Sequence, residues 1–129
     1  MRVLIVGGVA GGMSAATRLR RLDEEMEIVV IEKSGFVSYA NCGLPYFVGG
    51  VIEEESQLLL QTPESLHARF RLDVRVHSEV IGIDSHAKTV EILDAVSQQK
   101  YKLEYDKLIM SQGAAPVVPQ IAGIERAFT

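Results

Sequence analysis

The chain has 129 residues, 47% of them hydrophobic and 23% charged, which is enough for one domain with its own core. A formal net charge of −4 at pH 7 argues against a nucleic-acid partner, because the overall field repels phosphate. No apolar run approaches the ~18 residues that a membrane helix needs, and a single cysteine excludes an intrachain disulfide and a cysteine-rich zinc site.

The chain opens on "RVLIV", Arg2 to Val6, a β-branched run that ends in glycine, as a buried parallel strand does. The start "MRVLIVGG" is too short and too quickly interrupted by glycine to be a signal peptide, and a reducing cytoplasm is the expected compartment. "GGVAGG", Gly7 to Gly12, predicts a turn, "MSAATRLRRL", Met13 to Leu22, a helix, and "EIVVIEK", Glu27 to Lys33, a second strand. This β-turn-α-β order in about 30 residues has the spacing of a right-handed parallel unit. Residues 34 to 62 are loop-rich, with a short helix expected to start near Cys42 in "CGLPYFVGG". "TPESLHARFR", Thr62 to Arg71, predicts a helix with a threonine cap and proline in its first position. From Val74, "VRVHSEVIGID", "KTVEILDAV" and "YKLEYD" predict a three-stranded antiparallel meander. "KLIMSQG", Lys107 to Gly113, predicts another strand, and "AAPVVPQIAG", with its two prolines, an extended exit.

The first chemistry lies in the glycine turn. A strand, a glycine turn and a helix N-terminus present backbone N–H groups and a positive dipole end to a diphosphate, and glycine lets the phosphates come close. The usual spacing is G-x-G-x-x-G; Gly7 and Gly12 fit its outer positions and Val9 takes the middle one, with Ala10 and Gly11 between. Glu32 follows Gly12 by about 20 residues, where a carboxylate accepts from an adenosine ribose, with Lys33 beside it. An acid there disfavours a 2′-phosphate, so FAD or NAD suits the turn better than NADP. The alternative is a tight turn that binds nothing. A simple NAD domain would continue with further βα units. The meander that interrupts the parallel sheet instead suggests an FAD domain of the two-dinucleotide-domain type. The expected fold is therefore α/β: a Rossmann-like FAD-binding domain, a parallel sheet with a glycine-rich βαβ start, plus an inserted three-stranded antiparallel meander.

"GGVAGG", "RLRRLDE", "IEK", "SYANCGLPY", "TPES", "ARF", "HSEV" and "YDKLIMSQGAAP" together resemble the N-terminal FAD domain of coenzyme A-disulfide reductases and the related CoA-persulfide reductases. These form the single-cysteine branch of the pyridine nucleotide-disulfide oxidoreductases. The resemblance covers nearly the whole chain, "SYANCGLPY" is its most specific piece, and Val9 is also what that family shows at the turn. Its members run on into an NAD(P)H-binding domain and a dimerisation domain. The resemblance thus implies that residues 1–129 are an N-terminal segment of the FAD-binding domain of a larger, homodimeric enzyme, with FAD as cofactor and NADH or NADPH as co-substrate.

In two-cysteine relatives a C-x-x-x-x-C pair cycles between dithiol and disulfide; here the fifth residue after Cys42 is Phe47. A single sulfur stores oxidation as a sulfenate or as a mixed disulfide with a small thiol. The resemblance implies a Cys42–S–S–CoA intermediate, with hydride passing from NAD(P)H to flavin and electrons then to sulfur. A stabilised thiolate is required, and a helix N-terminus at Cys42, with Ser38 and Asn41 as hydrogen-bonding neighbours, would supply it. A packed, inert cysteine is the alternative. Asn41 and the following "LPY" favour CoA disulfides or persulfides over the oxygen and peroxide of the related NADH oxidases and peroxidases, which remain a second reading; a stand-alone FAD-binding module is a third.

At about 100° per residue, Ser14, Arg18 and Arg21 share one face of the first helix with Thr17 close by, Ala15, Ala16, Leu19 and Leu22 form the apolar face, and Arg20 points elsewhere. Two arginines and two hydroxyls suit a phosphorylated ligand, and the resemblance assigns this face to CoA's nucleotide end, with Arg69 and Arg71 expected to join it. A solvated face paired with Asp23 to Glu25 is the alternative. His67, His77 and His86 share no metal-ligand spacing, so no metal site is expected. The resemblance implies that His77 lies in the strand that, beside Val80, presents main chain to the adenine, and that Ser111 and Gly113 match the strand end that turns near the FAD.

Overall fold

The computed structural model describes residues 1–115 and 117–126. In chain order the strands are β1 (Arg2–Val6), β2 (Glu27–Ile31), β3 (Asp73–Arg75), β4 (Ser78–Asp84), β5 (Thr89–Asp94), β6 (Lys100–Glu104) and β7 (Lys107–Met110); the helices are α1 (Ala10–Leu22), α2 (Leu44–Val48) and α3 (Pro63–Phe70).

The runs "VLIV" and "IVVI" are too apolar to leave either face of a strand wet, and neither face is wet. β1 and β2 pair in parallel, from Arg2 opposite Glu27 to Val6 opposite Ile31. β3 joins β2 and β7 joins β1, both parallel, in the order β3-β2-β1-β7. Val3, Ile5, Ile28 and Val30 face Met13 and Ala16 of α1 and Leu66 of α3. Leu4, Val29 and Ile31 face the opposite way, onto Val90 and Ile92 of the antiparallel sheet β4-β5-β6. The parallel sheet is thus the middle of three layers, and the alternation of side chains along each strand fills both cores.

α3 forms as its sequence predicts. The Thr62 hydroxyl accepts from Ser65 N–H (3.2 Å), the Ser65 hydroxyl accepts from Thr62 N–H (3.0 Å), and Pro63 occupies the first turn. The meander's two turns share one device. Asp84 accepts from the N–H groups of His86 and Ala87, and Asp94 from those of Val96 and Ser97. The Ser97 and Val96 N–H groups hold the Asp94 carboxyl below its usual range.

Four sequence expectations need correction. α1 begins at Ala10, three residues before Met13, so Gly11 and Gly12 lie inside its first turn. Val74 and Arg75 belong to the parallel sheet, as β3, and the meander begins only at Ser78; His77 lies between them at a positive φ of 51° that breaks the strand. Leu22 is 64% exposed, because α1 ends there and the chain turns away from the core. β2 ends at Ile31, so Glu32 and Lys33 follow the strand. Of the extended exit, Pro116 lies outside the described residues.

Candidate functional site

β1 delivers the chain to a turn at the C-terminal edge of the parallel sheet. Gly7 has φ +99°, and a Cβ there would overlap the Ser111 carbonyl; a Cβ on Gly12 would overlap the Gly7 carbonyl. Both positions exclude a side chain, so the turn and the first turn of α1 lie back to back with bare backbone. The first helical bond runs from Met13 N–H to the Val9 carbonyl (3.0 Å), and Val9 provides no side-chain cap. The N–H groups of Ala10, Gly11 and Gly12 are therefore without partners inside the helix, and α1 has no acid in its first turn. Bare glycines, unpaired N–H groups and a helix dipole fit the diphosphate of a dinucleotide.

Two clefts flank this turn. One, of about 160 Å³, is lined by Val6, Gly7, Glu32, Lys33, Glu79, Val80 and neighbouring residues. Lys33 Nζ and Glu79 Oε1 pair across it at 2.8 Å, both exposed. The second cleft, of about 490 Å³, is mainly apolar and brings together Val9, Ala10 and Ser14 with Ser38, Asn41 and Cys42, closed by Met13, Tyr39, Ala40 and Leu60. A third cleft, at the opposite end of the sheet, lies among Arg2, Glu27, Lys88 and Asp106, where the Arg2 guanidinium pairs with Glu27 and the Arg2 main-chain N–H donates to Asp106.

Glu32 is 8% exposed, and both its carboxylate oxygens accept from main chain: Oε2 from Gly8 N–H (2.7 Å) and Oε1 from Ser34 N–H (2.8 Å). Gly8 is buried, and its own carbonyl accepts from Ser38 N–H (2.9 Å). Val37 packs against Gly8, so close that a Cβ on Gly8 would sit 2.8 Å from Val37 Cγ1. The loop that carries the cysteine is thereby fastened to the glycine turn. Its other edge is held by a bridge between Tyr39 and Leu59 and by Ala40 N–H donating to the Leu58 carbonyl (2.8 Å). Ser38 takes a left-handed φ of 52°, an uncommon conformation for serine, and is gripped from both sides, its carbonyl accepting from Leu60 N–H at 3.4 Å.

Cys42 is exposed, in a 3₁₀ turn from Asn41 to Gly43 that leads directly into α2. The short helix expected near Cys42 is therefore present. Ser111 lies beneath the glycine turn: its N–H donates to the Val6 carbonyl (2.8 Å), and a Cβ on Gly11 would touch its Oγ at 3.4 Å. Gly113 has φ +72° and open space around it.

Of the arginine face, Ser14 reaches the cysteine cleft, while Arg18 and Arg21 stand exposed farther along α1. Arg69 and Arg71 are not brought to that cleft. The Arg69 guanidinium sits 5.1 Å from the Phe70 ring centroid, and Arg71 donates to the Glu24 carbonyl at 2.7 Å. Arg20, expected to point elsewhere, donates to the carbonyls of Phe70, Glu24 and Arg71 and ties the ends of α1 and α3 together. His77 is not in a strand; its N–H donates to the Ser34 carbonyl and its ring covers Gly35. Among the described residues no three His, Cys, Asp or Glu side chains cluster as a metal site would require.

Sequence reasoning did not single out Gly8, Glu79 or Leu60. A doubled glycine before Val9 is a signal that Gly8 matters. Glu79 and Leu60 reach their clefts from residues distant in the chain, and no local pattern marks them.

The family model for pyridine nucleotide-disulphide oxidoreductases matches residues 1–129. A coenzyme A disulfide reductase of Staphylococcus aureus (strain JH9) is 40% identical over 114 residues, 88% of this chain and 26% of that protein. The crystal structure of reduced Bacillus anthracis CoADR-RHD superposes with a TM-score of 0.92 at 52% identity, covering 98% of this chain and 23% of the other. The structure of an NAD-dependent persulfide reductase from A. fulgidus also gives a TM-score of 0.92, at 37% identity, over 97% of this chain and 23% of the other. The chain thus spans about a quarter of the length of these relatives.

Proposed function

The chain belongs to the pyridine nucleotide-disulphide oxidoreductase family, and from that premise we propose that it is the N-terminal segment of the FAD-binding domain of an oxidoreductase that reduces coenzyme A disulfide or a CoA persulfide with NADH or NADPH. The observation that carries this reading is the cleft of about 490 Å³ in which an exposed Cys42 shares a wall with the glycine turn. The glycine turn fits a diphosphate, and Glu32, with two of its lone pairs committed to backbone, keeps acceptor capacity for a ribose. Bound flavin would supply a two-electron relay from pyridine nucleotide.

The residues divide the remaining work. The Cys42 thiolate attacks one sulfur of the CoA disulfide; a Cys42–S–S–CoA bond forms and one CoA thiolate leaves. Two electrons from NAD(P)H then break that bond, restoring the Cys42 thiolate and releasing the second CoA thiolate, which takes a proton from solvent. Ser14, Ser38 and Asn41 line the cleft around the sulfur, and Arg18 and Arg21 extend from it along α1. Ser14 and Arg21 are seven residues apart, so the row spans about 10 Å of helix. That suits a long ligand whose thiol lies at Cys42 and whose phosphates lie farther out. The reading extends to a homodimeric, cytoplasmic full-length protein. Among the described residues no helix is long and apolar enough to cross a membrane.

The test is steady-state kinetics of the full-length gene product with NADH or NADPH against CoA disulfide, CoA persulfide and oxygen. The expected result is rapid turnover of a CoA substrate by a yellow protein. Cys42→Ser should retain flavin absorbance and lose disulfide or persulfide reduction by several orders of magnitude. Undiminished turnover in that variant would remove Cys42 from the reaction, and preferential oxygen consumption would replace the CoA reading with an oxidase.

A further inference from the structure

Gly8 bridges the ribose-side acid and the cysteine loop through its own main chain, beside the covalent segment Lys33 to Val37 that also joins them. Its N–H donates to Glu32 Oε2 at 2.7 Å, and its carbonyl accepts from Ser38 N–H at 2.9 Å. Both bonds belong to one buried peptide segment with no side chain of its own. Movement of Gly8 must therefore move Ser38. Three further features make the connection stiff. Glu32 is nearly fully buried, and its second oxygen is held by Ser34 N–H at 2.8 Å, so both carboxylate oxygens are tethered to main chain. Its stem also packs on the turn, where a Cβ on Gly8 would lie 3.1 Å from Glu32 Cβ and 2.8 Å from Val37 Cγ1. Val37 is itself 1% exposed. Finally, Ser38 occupies a left-handed conformation that persists only when its surroundings impose it, and the Gly8 carbonyl is one of the two groups that do so. Cys42 follows Ser38 with three residues between them, and both line the same cleft.

We propose that Glu32 is a positioning residue for the cysteine loop: through Gly8 it fixes the backbone at Ser38, and hence the placement of Cys42, in addition to facing the ribose. Its carboxylate holds the glycine turn and the cysteine loop in register whether or not a ligand touches it. The consequence for turnover rests on the reading of Cys42 as the reacting sulfur; the mechanical link does not.

The experiment is site-resolved amide hydrogen exchange on the full-length protein saturated with FAD, with flavin occupancy read by absorbance. Wild type is compared with Glu32→Ala, which removes both acceptors, and Glu32→Gln, which keeps one carbonyl oxygen. Ser38 exchange should follow Gly8 exchange in every variant. Where Gly8 loses its acceptor, Ser38 should speed up by about tenfold, the loss of one net hydrogen bond. Where Gln keeps Gly8 protected, Ser38 should stay protected. A Ser38 amide that remains slow while Gly8 becomes fast overturns the proposal. If Glu32→Ala does not fold, the Gln variant and the wild-type exchange rates decide it, because linked amides open with a common rate and unlinked ones do not.

Kinetics separate positioning from ribose binding. A residue that only binds the ribose would weaken FAD affinity and give full kcat at saturating FAD. A positioning residue leaves kcat lowered, by about tenfold, with FAD saturated. Full recovery of kcat overturns the positioning role. The exchange arms read out whether or not Cys42 reacts, so failure of the link and failure of the functional reading give different results.

Discussion

Arg18 and Arg21 show how far a single residue can be read. Their spacing on α1 places them on one exposed face, and none of the ion pairs among the described residues uses them. Among the described residues no ion pair joins this face to Asp23, Glu24 or Glu25; it is Arg20, on another face, that turns there, and to the main-chain carbonyls of Asp23 and Glu24 rather than to their carboxylates. Arg71 looked equivalent on paper and is spent on Glu24. A helical wheel assigns direction but not destination; the Phe70 carbonyl that Arg20 also reaches and the Glu24 carbonyl that Arg71 reaches lie about 50 residues away in sequence. The same holds at the acid. Glu32 was legible as the carboxylate at the end of the second strand, whereas its place one residue beyond that strand and its bonds to Gly8 and Ser34 depend on how the turn folds back. The arginine face is tested by charge reversal at both Arg18 and Arg21. Two guanidinium–phosphate contacts, weakened by solvent exposure, should raise KM for a CoA substrate by about tenfold and leave KM for NADH unchanged. Equal effects on both substrates would mean a general loss of structure or field rather than a lost phosphate contact.

At the scale of elements, α3 was legible because its cap is chemical and local, whereas the start of α1 was not. Glycine is a poor helix former, by about 1 kcal/mol relative to alanine, so "GGVAGG" reads as a turn throughout. The helix nonetheless begins at Ala10, since Gly12 must pass within backbone contact of Gly7 and only a residue without Cβ can do so. Close packing, not propensity, sets the boundary. The two glycines inside α1 should therefore respond oppositely to the same substitution. Gly12→Ala places a methyl group on the Gly7 carbonyl and should destabilise by about 1–3 kcal/mol despite the better propensity. Gly11→Ala meets only the Ser111 side chain, at 3.4 Å from Oγ and 3.6 Å from Cβ, and should be neutral or stabilising by up to ~1 kcal/mol. Thermal melts of the two variants check this; a Gly12→Ala protein as stable as wild type would show that the turn is looser than its contacts indicate.

The whole molecule is a parallel sheet covered by helices on one side and by the meander on the other. A meander was legible from its three alternating strands and turn residues, but not its docking, because alternation tells which side chains share a face and not what that face meets. Val74 and Arg75 show the cost. Their pattern continues smoothly into the meander, yet they complete the parallel sheet beside β2, where Arg75 is held firmly protonated, chiefly by its hydrogen bond to Asp73, and lies 5.6 Å from the Tyr101 ring centroid. The docked face is where the meander bears on function. Ile92 is fully buried against Leu4, Val29 and Ile31, and Val80 packs on this core while also lining the cleft that holds Glu32. Ile92→Ala should cost about 2–5 kcal/mol, the range for emptying a filled core site. Ile83, on β4 and 46% exposed, should cost under about 0.5 kcal/mol when changed to alanine. Because Val80 belongs to both core and cleft, Ile92→Ala should also release flavin at a lower denaturant concentration, and Ile83→Ala should not. Unfolding midpoints and flavin fluorescence measured in one titration separate the cases. A destabilised Ile92→Ala protein that holds its flavin as firmly as wild type until it unfolds would mean that the meander covers the sheet without shaping the cleft.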